Sequence, residues 1–276
     1  MSLTIPFTKM QGIGNDFVVI DALQHSELPA NLPEFARKVN DRRFGIGGDG
    51  LILLEPGESA PFRMRMFNPD GSESEMCGNG IRCFGRLLQD HKHLNDETVR
   101  VETGAGTLTL EMLGPGRFRV DMGQARLTRG EIGMVGPSDQ LFTEVPVGSG
   151  YAGTAVSMGN PHLVIFVDDV AKVELETVGP VLEHHPEFPK RTNVHFIQVV
   201  DRDHLIQRTW ERGAGITLAC GTGACASAVA AFVTGRANRK VEIRLPGGKL
   251  EIEYLEDGRV LMTGPAESVF EGEIEV

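Results

Sequence analysis

A repeat with an offset of about 143 residues is the feature that most constrains this chain. Glu75-Met76-Cys77-Gly78-Asn79-Gly80 and Leu218-Ala219-Cys220-Gly221-Thr222-Gly223 each set one cysteine in a glycine frame, ahead of an apolar run at helical spacing. The flanks repeat nearly in step. Arg65-Met66-Phe67-Asn68 faces Arg208-Thr209-Trp210-Glu211, and Asn15-Asp16-Phe17-Val18 faces Asn160-Pro161-His162-Leu163. Asp49-Gly50-Leu51-Ile52 faces Asn193-Val194-His195-Phe196, and Gly123-Gln124-Ala125 faces Gly264-Pro265-Ala266. A register kept over so many points means duplication: two lobes of one fold, related by pseudo-twofold symmetry. At 276 residues each lobe is long enough to bury its own core.

Alternating apolar runs separated by turn residues predict strands at Phe17–Asp21, Leu51–Glu55, Arg63–Phe67, Val99–Glu102, Thr107–Met112 and Arg117–Asp121 in the first half. In the second half they fall at Leu163–Asp168, Val194–Val200, Ile206–Glu211, Val241–Leu245, Lys249–Tyr254 and Val260–Thr263. A modest helix is expected near Pro33–Asn40 and a stronger one after Cys77, with Cys77, Ile81, Phe84 and Leu88 on one face. Its counterpart, from Gly221 to about Gly235, is small and apolar almost all round, so other structure must enclose it. The expected fold class is α+β: two pseudo-symmetric lobes, each a curved, mainly antiparallel, barrel-like β-sheet around a central α-helix. Residues 1–127, completed by 266–276, form the N-terminal lobe with Cys77, and residues 128–265 the C-terminal lobe with Cys220. The Gly- and Pro-containing segment Thr128–Val147 reads as the crossing between lobes, and Ser268–Val276 as a return to the first lobe.

A formal charge of −11 without any offsetting Lys/Arg cluster excludes nucleic acid as a partner. No apolar run approaches the roughly 20 residues that span a bilayer, and no basic-then-apolar leader opens the chain, so a cytoplasmic protein with no membrane partner is expected. Four cysteines form no disulfide framework, and the pairs Cys77/Cys83 and Cys220/Cys225 lack the Cys-x-x-Cys spacing of zinc knuckles or redox centres. Reduced thiols and no metal are expected. Gly45-Ile46-Gly47-Gly48-Asp49-Gly50 satisfies the letters of a dinucleotide fingerprint, but it follows Arg42-Arg43-Phe44 and opens a strand where the fingerprint requires a helix. It reads as a tight loop shaping the mouth of a cleft.

At a helix start, free N–H groups and the positive end of the dipole favour a thiolate, so Cys77 and Cys220 are both expected to be acidified. Most free cysteines are simply buried small hydrophobes, and Cys83 and Cys225, inside their helices, fit that description. The duplicated placement sets Cys77 and Cys220 apart. Asn15, Asn68, Asn160, Asn193 and Glu211 beside Arg212 recur at equivalent points of both halves. Any one turn asparagine usually holds its own backbone, but the recurrence argues for a polar cleft between the lobes. His162 fits either a packed imidazole or a group that tunes a nearby thiol. One thiol from each lobe suits inversion at a carbon bearing hydrogen, where one sulfur removes the proton and the other delivers one to the opposite face. A substrate carboxylate would meet backbone N–H donors at Gly78-Asn79 and Gly221-Thr222, which would also stabilise charge developing on it.

Several strings, in consistent order from about residue 9 to 266, resemble diaminopimelate epimerases: Gly14-Asn15-Asp16-Phe17, Phe67-Asn68-Pro69-Asp70-Gly71-Ser72-Glu73, Met76-Cys77-Gly78-Asn79-Gly80-Ile81-Arg82, Gly159-Asn160-Pro161-His162, Glu211-Arg212-Gly213 and Ala219-Cys220-Gly221-Thr222-Gly223. The resemblance implies cofactor-independent interconversion of LL- and meso-2,6-diaminopimelate, feeding lysine and peptidoglycan synthesis, by a cytoplasmic homodimer. It makes Cys77 and Cys220 the acid and base, with His162 and Glu211 tuning the thiols. Asn15, Asn68, Gly78, Asn79, Asn160, Asn193, Glu211, Arg212, Gly221 and Thr222 become substrate contacts. Gly50 departs from the Gln common in the family, and that contact is lost. A proline or hydroxyproline racemase of the same architecture would not need this set of polar groups for a distal amino-carboxylate end. An idle binding protein could have lost either cysteine, and a thiol redox protein would want Cys-x-x-Cys.

Overall fold

The computed structural model describes residues 3–25, 27–94 and 96–276. The chain divides into two compact units, Met1–Asp121 with Thr263–Val276, and Met122–Met262. The change of unit falls inside two strands, Arg117–Gln124 and Arg259–Pro265.

In the first unit, strands Thr4–Gly12 and Asn15–Asp21 form an antiparallel hairpin. Asn15–Asp21 then pairs in parallel with Gly50–Pro56, which pairs antiparallel with Phe62–Phe67. Phe62–Phe67 runs parallel to Thr98–Thr103, which turns back antiparallel into Gly106–Met112. The C-terminal strand Glu267–Glu275 closes the edge, antiparallel to Thr4–Gly12, as the return of Ser268–Val276 requires. The helix Gly78–Asp90 touches Thr4–Gly12, Asn15–Asp21, Gly50–Pro56, Gly106–Met112 and Glu267–Glu275. One helix can reach so many strands only because the sheet curves around it. It buries Ile81, Cys83, Phe84, Leu87 and Leu88, which removes apolar surface from water at roughly 25 cal/mol per Å².

The second unit repeats five of these pairings in the same order. Tyr151–Ser157 and Pro161–Phe166 are an antiparallel pair; Pro161–Phe166 with Asn193–Val199 is parallel, and Asn193–Val199 with His204–Glu211 antiparallel. His204–Glu211 with Lys240–Leu245 is parallel and Lys240–Leu245 with Gly248–Tyr254 antiparallel. The helix Gly221–Val233 again lies against several of these strands, its Ala, Gly and Ser residues allowing close approach all round.

Two expectations need correction. Thr128–Val147 is no crossing segment: Ile132, Met134, Phe142 and Val147 are buried in one apolar cluster with Leu163, Leu182, Val194 and Phe196, all of the second unit. Its Gly and Pro residues shape a short capped helix, Arg129–Ile132, and turns, because three or four large apolar side chains suffice to dock a loop on a core. The helix Leu175–Glu183, the counterpart of Leu32–Asn40, was also not expected. Among the described residues no helix is long and apolar enough to cross a membrane.

Candidate active site

In the first unit Cys77 is the N-cap of Gly78–Asp90 in extended conformation, and its sulfur accepts the Gly80 N–H at 3.4 Å. The thiol also lies 3.7 Å from Asn15 Oδ1, which accepts Asn79 Nδ2–H at 3.1 Å. Asn15 Nδ2 in turn donates to Asp49 Oδ2 at 2.6 Å. Behind Asn15, Asp16 is held by Lys9 and by Arg42, which bridges to Asp49 at 2.8 Å. Burial pushes the Asp16 carboxyl up, but hydrogen bonds from Arg42 and Lys9 more than offset this and keep it below the usual range. Arg82, fully buried, donates to Gly78 O, Asn79 Oδ1 and Pro265 O, fixing the first helical turn and the strand that returns to this unit. Asn68 stands apart from this network, bonded to Ser72 in its own turn.

The glycine loop holds no helix start. It runs from the Leu32–Asn40 helix into the strand Gly50–Pro56, with Gly47 in the left-handed region at φ 81° and its carbonyl accepting from Lys9. A Cβ on Gly50 would stand 2.8 Å from Met66 Cε and 3.1 Å from Phe67 O, so the volume that a larger residue needs is already filled.

In the second unit Cys220 is the N-cap of Gly221–Val233, only 5% exposed, with Thr222 Oγ1 3.8 Å from its sulfur. The expected acidification fails here. Burial is the largest influence and the negative charge of Glu211 adds to it, pushing the Cys220 thiol well above its ordinary value; the Gly223 N–H and the Thr222 hydroxyl offset only part. Loss of solvent penalises an anion more than a helix start rewards it. Cys83 is likewise pushed up, to about 12, by burial inside its helix.

His162 is fully buried and bonded at both ring nitrogens, Nδ1 to His195 Nε2 and Nε2 to Asn160 Oδ1, each at 2.9 Å. Beyond it, His195 Nδ1 meets Thr209 Oγ1 at 3.0 Å and Gln207 Nε2 at 3.2 Å. Burial first, then His195 and Arg212, hold His162 well below the usual imidazole range, and burial takes His195 to about 3. Both rings are therefore neutral near pH 7. Gln207 Nε2 can only donate to His195 Nδ1, so that nitrogen is the acceptor and His195 Nε2–H donates to His162 Nδ1, leaving His162 Nε2–H to donate to Asn160. The His195 ring also packs against Gly223, where a Cβ would come within 2.2 Å of it.

Asn193 is a brace: Nδ2 donates to Pro161 O and Oδ1 accepts the Arg212 N–H, both at 3.0 Å. Glu183, from the unexpected helix, accepts the Gly213 N–H at 3.1 Å and Trp210 Nε1–H at 2.8 Å, setting the loop that follows Glu211. Burial pushes the Glu183 carboxyl up, yet those two donors keep it below the usual range. Sequence reasoning missed Arg82, Asp16, Arg42, Glu183 and His195. A charged residue inside an apolar helix stretch was the available signal for Arg82. For Glu183 it was the repeat offset itself, which places 175–183 opposite 32–40.

Paired N-cap cysteines on duplicate core helices define a class of α+β protein with two repeated halves, each carrying one thiol at a helix start. A sequence model of the diaminopimelate epimerase family matches residues 7–128 and 154–269. Diaminopimelate epimerase 1 of Nostoc sp. is 53% identical, covering 99% of this chain and 100% of its own length. The diaminopimelate epimerase of Moorella thermoacetica is 54% identical, covering 97% and 98%. The chain belongs to the diaminopimelate epimerase family. Among solved structures, a phenazine biosynthesis PhzF-family protein of Bacillus anthracis superposes with TM-score 0.72 at 17% identity, covering 99% of this chain and 100% of that one. A hydroxyproline epimerase of Agrobacterium vitis gives 0.67 at 13% identity, covering 99% and 91%. At such identities the likeness speaks for the two-lobe α+β fold alone.

Proposed function

We infer that this chain is an isomerase that interconverts LL- and meso-2,6-diaminopimelate, the step that serves lysine and peptidoglycan synthesis, by a two-base mechanism. The observation that carries the reading is the pair Cys77 and Cys220, each capping the equivalent helix of its unit, in a chain about half identical to named diaminopimelate epimerases over nearly its whole length.

Inversion needs a base on one face of the α-carbon and an acid on the other. Buried beside Glu211, Cys220 keeps its proton in the free protein and is the acid of the first turnover. Cys77 takes the α-hydrogen, the electron pair of the broken C–H bond delocalises into the α-carboxylate, and Cys220 delivers its proton to the opposite face. The roles then exchange for the reverse direction. Main-chain N–H groups of Gly78 and Asn79 in one unit, and of Gly221 and Thr222 in the other, are helix-start donors suited to a carboxylate. Asn15, held by Asp49 and Asn79, positions the Cys77 thiol. Asn160 presents its carboxamide from the neutral His162–His195 pair, and Asn193 presents Arg212 by bracing its backbone. Asn68 contributes a turn amide. The chemistry is complete with two thiols and needs no cofactor. The family resemblance supports a cytoplasmic homodimer, which light scattering of the purified chain tests.

The deciding experiment is turnover in heavy water from either epimer. Early product should carry deuterium at the α-carbon while remaining substrate stays unlabelled. Product that keeps the substrate's own hydrogen would overturn the two-base reading.

A further inference from the structure

At the far end of the helix that Cys77 caps, Asp21, His91 and His93 bring three potential ligand atoms within 4.8 Å of one another. We propose that Asp21, His91 and His93 form a binding site for a borderline divalent transition-metal ion of the zinc or cobalt class, remote from the thiol chemistry.

Asp21 ends the strand Asn15–Asp21, and its side chain is 2% exposed. Its Oδ1 accepts the Leu23 and Gln24 N–H groups at 3.0 and 3.3 Å, which aims Oδ2 at the imidazoles, the kind of support that orients a ligand. Oδ2 meets His91 Nδ1 and His93 Nε2, each at 2.7 Å. Residues two apart on a helix do not face each other. Here the helix ends at Asp90, and Lys92 turns the chain through the left-handed region at φ 57°, which lets both rings converge on one oxygen. The rings are 24% and 19% exposed, so an ion has access from their side. Asp21 and His91 also line a cavity of about 410 Å³ with Gln24, His25, Glu271 and Glu273.

Three features make this a cation site. The buried carboxylate is negative, the C-terminal end of the Gly78–Asp90 helix adds partial negative charge, and Glu271 and Glu273 deepen the potential in the cavity. Two imidazoles and one carboxylate form the donor set of zinc-class ions rather than of Mg²⁺ or Ca²⁺, which prefer all-oxygen shells. Bonds of 2.0–2.2 Å in tetrahedral array put donor atoms about 3.3 Å apart, so each ring withdraws roughly half an ångström from Asp21 as the ion enters. The cavity has room for a water as a fourth ligand. Bound there, the ion would staple the helix end to the Asn15–Asp21 strand. The helix of 13 residues separates it from Cys77 by about 20 Å, so its removal leaves proton transfer intact.

The test is Co²⁺ titration of the reduced, chelator-treated full chain, with His91→Gln and His93→Gln variants. The wild type should bind one Co²⁺ at micromolar concentration with visible d–d bands and no thiolate-to-cobalt charge transfer, and each variant should bind at least tenfold more weakly while keeping full epimerase activity in chelator. In the wild type alone, paramagnetic Co²⁺ should broaden the imidazole resonances of His91 and His93 and leave those of His162 and His195 sharp. Equal Co²⁺ affinity in wild type and variants, binding seen only as thiolate charge transfer, or unbroadened His91 and His93 signals would overturn the site.

Discussion

Cys77 and Cys220 cap equivalent helices of equal length, yet the two surroundings are opposites. Around Cys77 the neighbours are amides, Asn15 and Asn79, backed by the Lys9, Asp16, Arg42 and Asp49 charge cluster, and the thiol is partly exposed. Around Cys220 the setting is closed, with Glu211 the charge that acts on it most and a neutral imidazole pair packed behind the first helical turn. Duplication supplied two thiols in matched positions; burial and Glu211 then push the Cys220 thiol well above its ordinary value.

The comparison breaks outright if either cysteine is dispensable. Cys77→Ser and Cys220→Ser should each lower kcat by about 10³-fold or more, because a hydroxyl is too weakly acidic to act in either role. A chiral assay with LL-diaminopimelate in both variants checks this, and substantial turnover in either would remove that residue from the mechanism.

Glu211→Gln should cost about 10²-fold in kcat and, more diagnostically, make the thiols more alike. Without the carboxylate charge, Cys220 ionises at lower pH, so its alkylation profile followed by mass spectrometry should move to lower pH while that of Cys77 stays in place. An unmoved Cys220 profile would mean burial alone sets its acidity.

Equivalent glycines give the next contrast. Gly223→Ala drives a methyl into the His195 ring at 2.2 Å, whereas Gly80→Ala meets the mobile end of Ile52 at 3.0 Å. Denaturant unfolding should show a loss of about 1–3 kcal/mol for the former and clearly less for the latter.

The imidazole pair also gives the second unit an acid sensitivity. Below about pH 6.5 the unfolded chain takes up protons at His162 and His195 while the folded chain, with both held lower, does not; stability contributed by these groups is present above that pH and drains away as pH falls toward 3. His195→Gln should flatten this slope in a series of unfolding curves.

The smallest effects belong to the inner cysteines. Cys83→Ala and Cys225→Ala should cost about 1 kcal/mol each and leave kcat unchanged. Cys83→Ala should in addition relieve part of the alkaline loss of stability between pH 9 and 12, where the unfolded thiol ionises and the buried one does not.

Most strands were legible because alternation and turn residues act over a few residues: all twelve expected segments overlap observed strands, with ends shifted by at most three positions. The misses share a cause. Thr4–Gly12 contains Pro6 and Lys9, and Tyr151–Ser157 is rich in small residues, so neither shows strand composition; each is a strand because neighbours on both sides complete its hydrogen bonds. Leu175–Glu183, nine residues long with Pro180 inside, is stable as a helix through Leu175 and Leu182 packed on the core. In the candidate site, Cys77 and Cys220 stood out because capping motifs are contiguous in sequence. Glu183 and His195 did not, since their partners lie far away along the chain.

The sequence by itself determined the duplication, the α+β class and the placing of one thiol at each helix start, since repeats, periodicity and caps are properties of neighbouring residues. Only the tertiary structure decided that the Cys220 thiol is pushed up, which asparagines brace the backbone, and that Asp21 meets His91 and His93. Desolvation and hydrogen-bond partners are set by residues that folding brings together from distant parts of each unit, and no local pattern encodes them.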